Sequence, residues 1–334
     1  MNNTNNSNIS LDGISKKRDT TFDIMKCFGI IAVIIGHLSS IGHQFIFSWH
    51  MPLFFIVSGY FYHEKDVKSM IKNDAKRLLL PYFATCLIIV AYYLFISLIS
   101  GNNQVNYWIY ATLFANGSSN HTSLYFAHFP QIGAIWFLWA LFWCKNVFNY
   151  IIQKARTFYF SICLIVSIIA ILIDNYIINL PFAFLPGMAA IIFYALGYII
   201  RQRGGFIALP IIFAVLIIGV WILAFTFSDM SLVRCYFQNY PLNILGACGG
   251  TYFIWLLSRW MSKFQTLIVS FIVWVGRNSL TFLCIHLLDL DIYVRSSILH
   301  IPSSMWIPYV LLLCIVGTYL LSKIPITKNV FNIV

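Results

Sequence analysis

The chain has 334 residues, of which 60% are hydrophobic and only 9% are charged, and its mean hydropathy is +0.82. A soluble domain carries about 25% charged residues, so this composition excludes a soluble globular protein and predicts an integral membrane protein. The formal net charge of +11 does not indicate nucleic-acid binding, because basic residues beside membrane spans set topology and contact anionic lipid.

Residues 1–22 are polar, Asn-rich and then basic, which predicts a disordered cytoplasmic tail. Beyond them, long apolar stretches dominate, and a spanning helix needs about 20 such residues. The alternating pattern of a membrane β-barrel is lacking from the sequence. The predicted fold class is therefore all-α, a polytopic membrane helix bundle with about ten transmembrane helices. The predicted spans are 24–43, 46–62, 79–99, 132–152, 158–174, 182–200, 206–227, 241–258, 278–298 and 305–322.

Lys and Arg residues near the predicted helix ends set the orientation. With a cytoplasmic N-terminus, 17 of the 21 lie in inside segments and only Arg234 and Arg295 lie outside. Both termini are therefore predicted to be cytoplasmic, with one membrane domain at 23–323 and a short C-terminal tail at 324–334. The apolar segment 259–277 is too short to span and is predicted to lie along the cytoplasmic interface.

The eight cysteines are scattered, mostly within apolar spans, and none forms a CxxC pair. Cysteine packs well as a small apolar residue, so we interpret these positions as packing residues. Neither disulfides nor a metal site is predicted from them.

The first predicted span carries ionisable residues that a bilayer disfavours. Lys26 and His37 are eleven residues apart, so on a helix both face the same way, about 16 Å apart along the axis. Asp23 lies three residues before Lys26 and can reach it near the cytoplasmic edge. His37 then lies inside the hydrocarbon layer, where an ionisable group normally faces a bundle interior or a water-filled cavity. A neutral histidine bonded to a neighbouring helix is an equal alternative for His37 alone.

In the second predicted span, His50 is predicted to open the helix from the outer side, in WHMPLFF, and Pro52 suits a helix start or a kink. His43 and His50 flank the preceding outer turn, and for His43 an ordinary interfacial role is favoured. Ser58 and Tyr60 lie near the inner end in SGY, where Gly allows close backbone approach. This tripeptide alone is a weak signal.

A basic inner loop follows, with five Lys or Arg residues between 65 and 77. The plainer interpretation is that these charges enforce topology. The sharper hypothesis is a docking surface for a phosphorylated cytosolic cofactor, because Lys76 and Arg77 suit phosphate groups.

The motif GRNSLTFLCIHLL places Arg277 at the inner edge of the ninth predicted span and His286 about two turns into it. Asn278 and Ser279 are suited to cap this helix. Two imidazoles, from His37 and His286, that reach one cavity from different helices would be unusual as mere packing.

Taken together, these segments resemble the membrane-bound acyltransferase family 3, most closely its branch of fucose 4-O-acetylase-like proteins. The matching pieces occur in the family's order over most of the chain, and the first two are fairly specific. Many relatives have arginine where this chain has Lys26, which weakens any argument that needs a bidentate guanidinium. The matching pieces are FDIMKCFGIIAVIIGH (22–37), FSWHMPLFFIVSGYFY (47–62), KRLLLPYF (76–83), IWFLWALFW (135–143) and GRNSLTFLCIH (276–286).

The resemblance implies an O-acetyltransferase of the cell membrane with ten spans. Its donor would be a cytosolic acyl-CoA, usually acetyl-CoA, and its acceptor a sugar hydroxyl on a lipid-linked or cell-surface glycan. The expected partners are therefore the lipid bilayer, acyl-CoA and a carbohydrate, with no nucleic acid. The acceptor sugar, the choice between acetyl and another acyl group, and assembly into a homo-oligomer are left open.

Acyl transfer to a sugar hydroxyl needs a base, because the hydroxyl is a poor nucleophile. His37 is the predicted base, with His286 or His50 as an orienting group or second proton carrier. Direct transfer is the hypothesis, and an acyl-enzyme intermediate is the alternative.

The donor would be held from the cytoplasmic side. Lys26, positioned by Asp23, is expected to contact the phosphate or pantetheine part of the donor, and Lys76 and Arg77 its nucleotide end. The remaining expected donor-side residues are Ser58 and Tyr60.

Two other functions stay open at this stage. In a transporter or flippase for a glycan or lipid intermediate, the intramembrane histidines and lysine would form a proton relay. In a non-catalytic membrane sensor they would have no chemical role. The acyltransferase is favoured over both.

Overall fold

A computed structural model describes residues 19–39, 42–101, 104–118, 130–292 and 299–334. Most of the predicted N-terminal tail (1–22) and Arg295, one of the two predicted outer arginines, lie outside the described residues. The structure is 78% helical with almost no sheet, which confirms the prediction of an all-α chain.

Among the described residues, the first half of the chain forms eight α-helices. A π-helical segment, Ala75–Leu79, joins α4 to α5, and a 3-10 turn, Gly133–Ile135, precedes α7. The helices are α1 (Thr21–Leu38), α2 (His43–Phe47), α3 (His50–Tyr60), α4 (Val67–Asp74), α5 (Leu80–Ser100), α6 (Val105–Phe114), α7 (Trp136–Ala155) and α8 (Tyr159–Tyr176).

The described part of the second half forms eight more. Strands β1 (Met230–Ser231) and β2 (Tyr236–Phe237) make a small antiparallel hairpin between α11 and α12. Two 3-10 turns are Leu232–Arg234 and Ser303–Met305. The helices are α9 (Phe184–Ala189), α10 (Ile191–Gln202), α11 (Ile211–Phe227), α12 (Tyr240–Met261), α13 (Leu267–Arg277), α14 (Ser279–Ile292), α15 (Trp306–Ser322) and α16 (Pro325–Val330).

Each of the ten predicted spans contains a helix, but fewer helices are long and apolar enough to cross a membrane. Among the described residues six meet that standard, and a seventh is added if α13 and α14 count as one span bent by 72°. The count of ten spans and the cytoplasmic location of the termini remain predictions. The six are Thr21–Leu38, Val67–Ser100, Gly133–Ala155, Tyr159–Tyr176, Phe184–Gln202 and Ser303–Ser322.

The second predicted span, 46–62, is not one helix. Helix α2 ends at Phe47, and α3 begins at His50 with Pro52 in its first turn, where proline needs no intrahelical partner for its missing N–H. The eleven residues of α3 extend only about 16 Å, too little to cross the hydrocarbon core alone.

Helix α1 is central to the bundle. It packs against α3, α12, α13, α14 and α15. Its side chains therefore meet groups from distant parts of the chain. All eight cysteines are free and seven are buried, in agreement with a packing role.

Helices α3 and α10 approach closely through a glycine on each. A methyl group added at Gly59 would lie 2.0 Å from the backbone oxygen of Tyr194, and one added at Gly197 would lie 2.0 Å from that of Ile56. Small residues at such crossings let helix backbones pack in a membrane, where the hydrophobic effect does not drive association.

We expect Gly197→Ala to destabilise the protein by about 1–3 kcal/mol, because the two helices must separate to admit the methyl group. Unfolding in mixed detergent micelles measures this change. The matched control is Gly219→Ala in α11, where no atom lies within 4 Å of the added carbon. Alanine should be neutral there or stabilise by up to about 1 kcal/mol, and equal losses in both variants would contradict the packing account.

Candidate active site

A cavity of about 350 Å³ lies within the bundle. One end is lined by polar residues from α1, the π-helical segment and α14, and the middle by two histidines among apolar side chains. The other end is lined by residues of the connections after α6 and α11 and of the start of α7. The polar end is lined by Lys26, Arg77 and Ser279, and the middle by His37 and His50. The other end is lined by Gly117, Trp136 and Val233.

His37 and His286 are brought together as the sequence predicts. Their ring centroids are 5.3 Å apart with planes inclined by 46°. His37, in the last turn of α1, is exposed and lines the cavity. His286 on α14 is fully buried and stands next to it outside the lining. The pair thus consists of one imidazole open to the cavity and one packed in protein.

His50 contributes a second imidazole to the cavity. Its Nδ1 lies 2.7 Å from the backbone oxygen of Ile46. A carbonyl oxygen only accepts, so Nδ1 carries the hydrogen, and in the neutral ring Nε2 is left as an acceptor. The first residue of α3 is therefore fixed in orientation by the last turn of α2.

Asp23 holds two cations at the polar end. Its side chain is 2% exposed, and its oxygens lie 2.8 Å from Lys26 Nζ and 3.2 Å from Arg277 Nε. The predicted contact of Asp23 with Lys26 is present. Helices α1 and α13 meet closely at this point, because a methyl group on Gly276 would lie 1.7 Å from the Asp23 backbone oxygen.

Arg277 is a member of this cluster that the sequence did not assign to the site. The sequence placed it at the inner membrane edge, but its partner is 254 residues away in the chain. Because no local spacing links the two positions, only the packing of α13 on α1 reveals the contact.

Lys76 and Arg77, the two adjacent basic residues predicted to hold the donor, both lie in the π-helical segment but differ in their position relative to the cavity. Both side chains are exposed, but Arg77 lines the cavity and Lys76 does not. Such segments are rare and often occur at functional sites. Its start is fixed by a buried Asp74, which accepts a hydrogen bond from Lys145 of α7 at 2.5 Å. Lys145 therefore has a structural partner inside the bundle.

Ser58 and Tyr60, the two other predicted donor-side residues, also differ in whether they line the cavity. Ser58 lines the cavity. Tyr60 does not; its ring lies 4.6 Å from that of Phe22, and its backbone oxygen accepts from Arg201 at 3.3 Å. Tyr60 thus belongs to an aromatic cluster at the end of α3.

The apolar end of the cavity is closed by two connections. A methyl group on Gly117 would lie 2.3 Å from the Trp136 ring and 2.4 Å from Val233, so the three are in close contact. Arg234 Nε donates to Ser118 Oγ at 3.2 Å beside them. The sequence predicts this side to be the outer one, and the contact between the two loops was not foreseen.

An apolar helix bundle that encloses cations at one end of a cavity and imidazoles in its middle defines a multi-pass membrane protein with an internal polar site. A family model described as an acyltransferase domain matches residues 19–322. The chain therefore belongs to the membrane acyltransferase family 3, as its motifs indicated. No curated protein and no solved structure matches the chain. The fucose 4-O-acetylase-like branch stays a prediction.

We expect Asp23 and Arg277 to be energetically coupled by about 1–2 kcal/mol, since a charged hydrogen bond to a buried carboxylate is worth more than an exposed one. A double-mutant cycle with Asp23→Asn and Arg277→Gln, followed by unfolding in mixed micelles, measures the coupling.

The same cycle on Glu64 and Arg156 is the matched control. That ion pair is exposed, with side chains 39% and 66% accessible, and should couple by less than about 1 kcal/mol. Additive losses at Asp23 and Arg277 would mean that their contact does not connect α1 to α13.

Proposed function

We propose that the protein is an O-acetyltransferase of the cell membrane. It transfers an acetyl group from cytosolic acetyl-CoA to a sugar hydroxyl of a lipid-linked or cell-surface glycan. The observation that carries the proposal is the cavity itself, because it connects a cluster of cations to an accessible imidazole. Membership of an acyltransferase family supports the reaction class.

The cationic end is suited to the donor. Arg77 and Lys26 line it. Arg277 does not line it, but it contacts Asp23, the same carboxylate that Lys26 contacts. Guanidinium and ammonium groups bind phosphate, and acyl-CoA carries its phosphates at the end remote from the thioester. A donor bound this way extends its pantetheine arm along the apolar lining toward His37, about 16 Å further along α1.

In the proposed reaction His37 takes the proton of the sugar hydroxyl. The hydroxyl oxygen attacks the thioester carbonyl carbon, a carbon–oxygen bond forms and the carbon–sulfur bond breaks. The coenzyme A thiolate leaves and receives the proton from His37. His37 is preferred as the base because it both lines the cavity and is exposed, whereas His50 lines the cavity but is buried and His286 lies outside the lining.

His286 and His50 have supporting roles in this proposal. His286 packs beside the His37 ring and orients it, and it can share the positive charge that develops when His37 is protonated. His50 presents Nε2 as an acceptor from the opposite helix. An acyl-histidine intermediate would use the same residues and is the competing path.

Replacement of His37 by Gln should lower glycan acetylation at least about 100-fold, because a neutral amide cannot accept the hydroxyl proton. Mass spectrometry of surface glycans from cells that express each variant measures the acetylated fraction. The matched control is His43→Gln, since His43 does not line the cavity itself and contacts it only by stacking on the lining residue Phe47.

Wild-type activity in the control and its loss in His37→Gln, at equal membrane abundance, is the expected pattern. Full acetylation by His37→Gln would refute His37 as the base. If the wild-type protein adds no acyl group and its membranes consume no acetyl-CoA, the acyltransferase proposal fails, and the transporter and the sensor are the remaining alternatives.

Replacement of Arg77 by Gln should weaken coenzyme A binding about tenfold, the loss of one charge-assisted phosphate contact. Isothermal titration of the purified full chain with coenzyme A gives the dissociation constant without an acceptor. Lys76→Gln removes the same charge from the same segment but outside the lining, so its effect should be much smaller. Equal weakening by both would indicate general electrostatic attraction instead of a cavity contact.

A further inference from the structure

The last ten residues pack back onto the polar end of the cavity. We call residues 325–334 the C-terminal segment; it comprises α16 (Pro325–Val330) and the four residues after it. Phe331 and Ile333 are buried, with only 6% and 4% of their surfaces exposed. The segment was predicted as a short tail, and the structure instead embeds two of its apolar side chains in the protein.

The C-terminal segment forms hydrogen bonds at or next to two of the three elements that supply polar residues to this end. Asn332 Nδ2 donates to the backbone oxygen of Arg77 at 3.3 Å, within the π-helical segment. Two residues later, the Val334 N–H donates to Asn278 Oδ1 at 3.0 Å, at the junction of α13 and α14. Those two places hold the cavity residues Arg77 and Ser279.

Hydrogen bonds within and just before the C-terminal segment also fix its conformation. Thr327 Oγ1 donates to the backbone oxygen of Leu321 at 2.6 Å, and the Ile333 N–H donates to that of Lys328 at 3.0 Å. Asn332 has φ 53°, a left-handed conformation that asparagine tolerates better than most residues. The side-chain amide of Asn332 is therefore presented to Arg77 by an ordered turn.

We propose that the C-terminal segment is a positioning element for donor binding. It connects the π-helical segment to the α13–α14 junction, so that Arg77 and Ser279 keep the separation that the donor requires. It acts through these residues and contacts no reacting atom. The assignment of this end to the donor rests on the proposed function.

The test uses three variants of the full chain. Phe331→Ala removes the buried ring, and Asn332→Gly removes the bond to Arg77 while keeping a residue that accepts positive φ. Ile326→Ala is the matched control, because Ile326 lies in the same segment but is 75% exposed.

Two measurements are made on each. Hydrogen–deuterium exchange should rise at residues 75–79 and 277–281 in Phe331→Ala and Asn332→Gly, but not in Ile326→Ala. The dissociation constant for coenzyme A should rise about tenfold for Phe331→Ala and about threefold for Asn332→Gly, the loss of one neutral hydrogen bond. Glycan acetylation at saturating acetyl-CoA should stay within about twofold, since the base is untouched.

Unchanged exchange at either of the two segments would overturn the inference. So would raised exchange with unchanged coenzyme A binding, because the segment would then have only a structural role. If the wild-type chain binds no coenzyme A at all, the assignment of this end to the donor fails, and the proposed function fails with it. The positioning role of the C-terminal segment is then refuted as well. Exchange that then still rises in the two variants would show a purely structural clamp.

Discussion

An ionisable side chain is stable within the hydrocarbon layer only where protein or water surrounds it, and this constraint organises the structure. Helix α1 carries Lys26 and His37 on one face, and both side chains line the same internal cavity. The helix that bears them is accordingly packed against α2, α3 and α12 to α15, with 61% of its apolar window buried. The candidate span Ser303–Ser322, in contrast, carries no Asp, Glu, Lys, Arg or His, and only 17% of its apolar window is buried. The polar face of α1 thus requires a central position, and that position creates the site.

The buried carboxylate of Asp23 sets the charge arrangement at the polar end. With one acid against Lys26 and Arg277, and with Arg77 also at the rim, the cluster keeps an excess of positive charge. Burying charged groups without full neutralisation costs free energy, so this cluster does not indicate a stabilising role. Its excess positive charge is better explained by the binding of an anionic ligand. The middle of the cavity is apolar except for its imidazoles, which suits a neutral acyl arm.

The parts of the site that follow from local spacing were predictable, and the parts that depend on tertiary packing were not. Lys26 and His37 share a face because eleven residues are close to three helical turns, and Asp23 reaches Lys26 across one turn. Most of the predicted spans coincide with helices because apolar length is a strong signal. The division of the second span into α2 and α3 was missed, since its apolar run continues across the break at Ser48 and Trp49.

The parts of the site that could not be predicted depend on contacts between residues far apart in the chain. The contact of Arg277 with Asp23 joins positions 254 residues apart, and the C-terminal segment reaches Arg77 over 255 residues. Within the π-helical segment Arg77 lines the cavity and Lys76 does not, and the residue pattern did not predict that segment. The most direct test of the account is an experimental structure of the full chain with bound coenzyme A. The account predicts phosphates beside Arg77 and Lys26 and the thiol next to the His37 ring; coenzyme A bound outside this cavity, with His37 out of its reach, would contradict it.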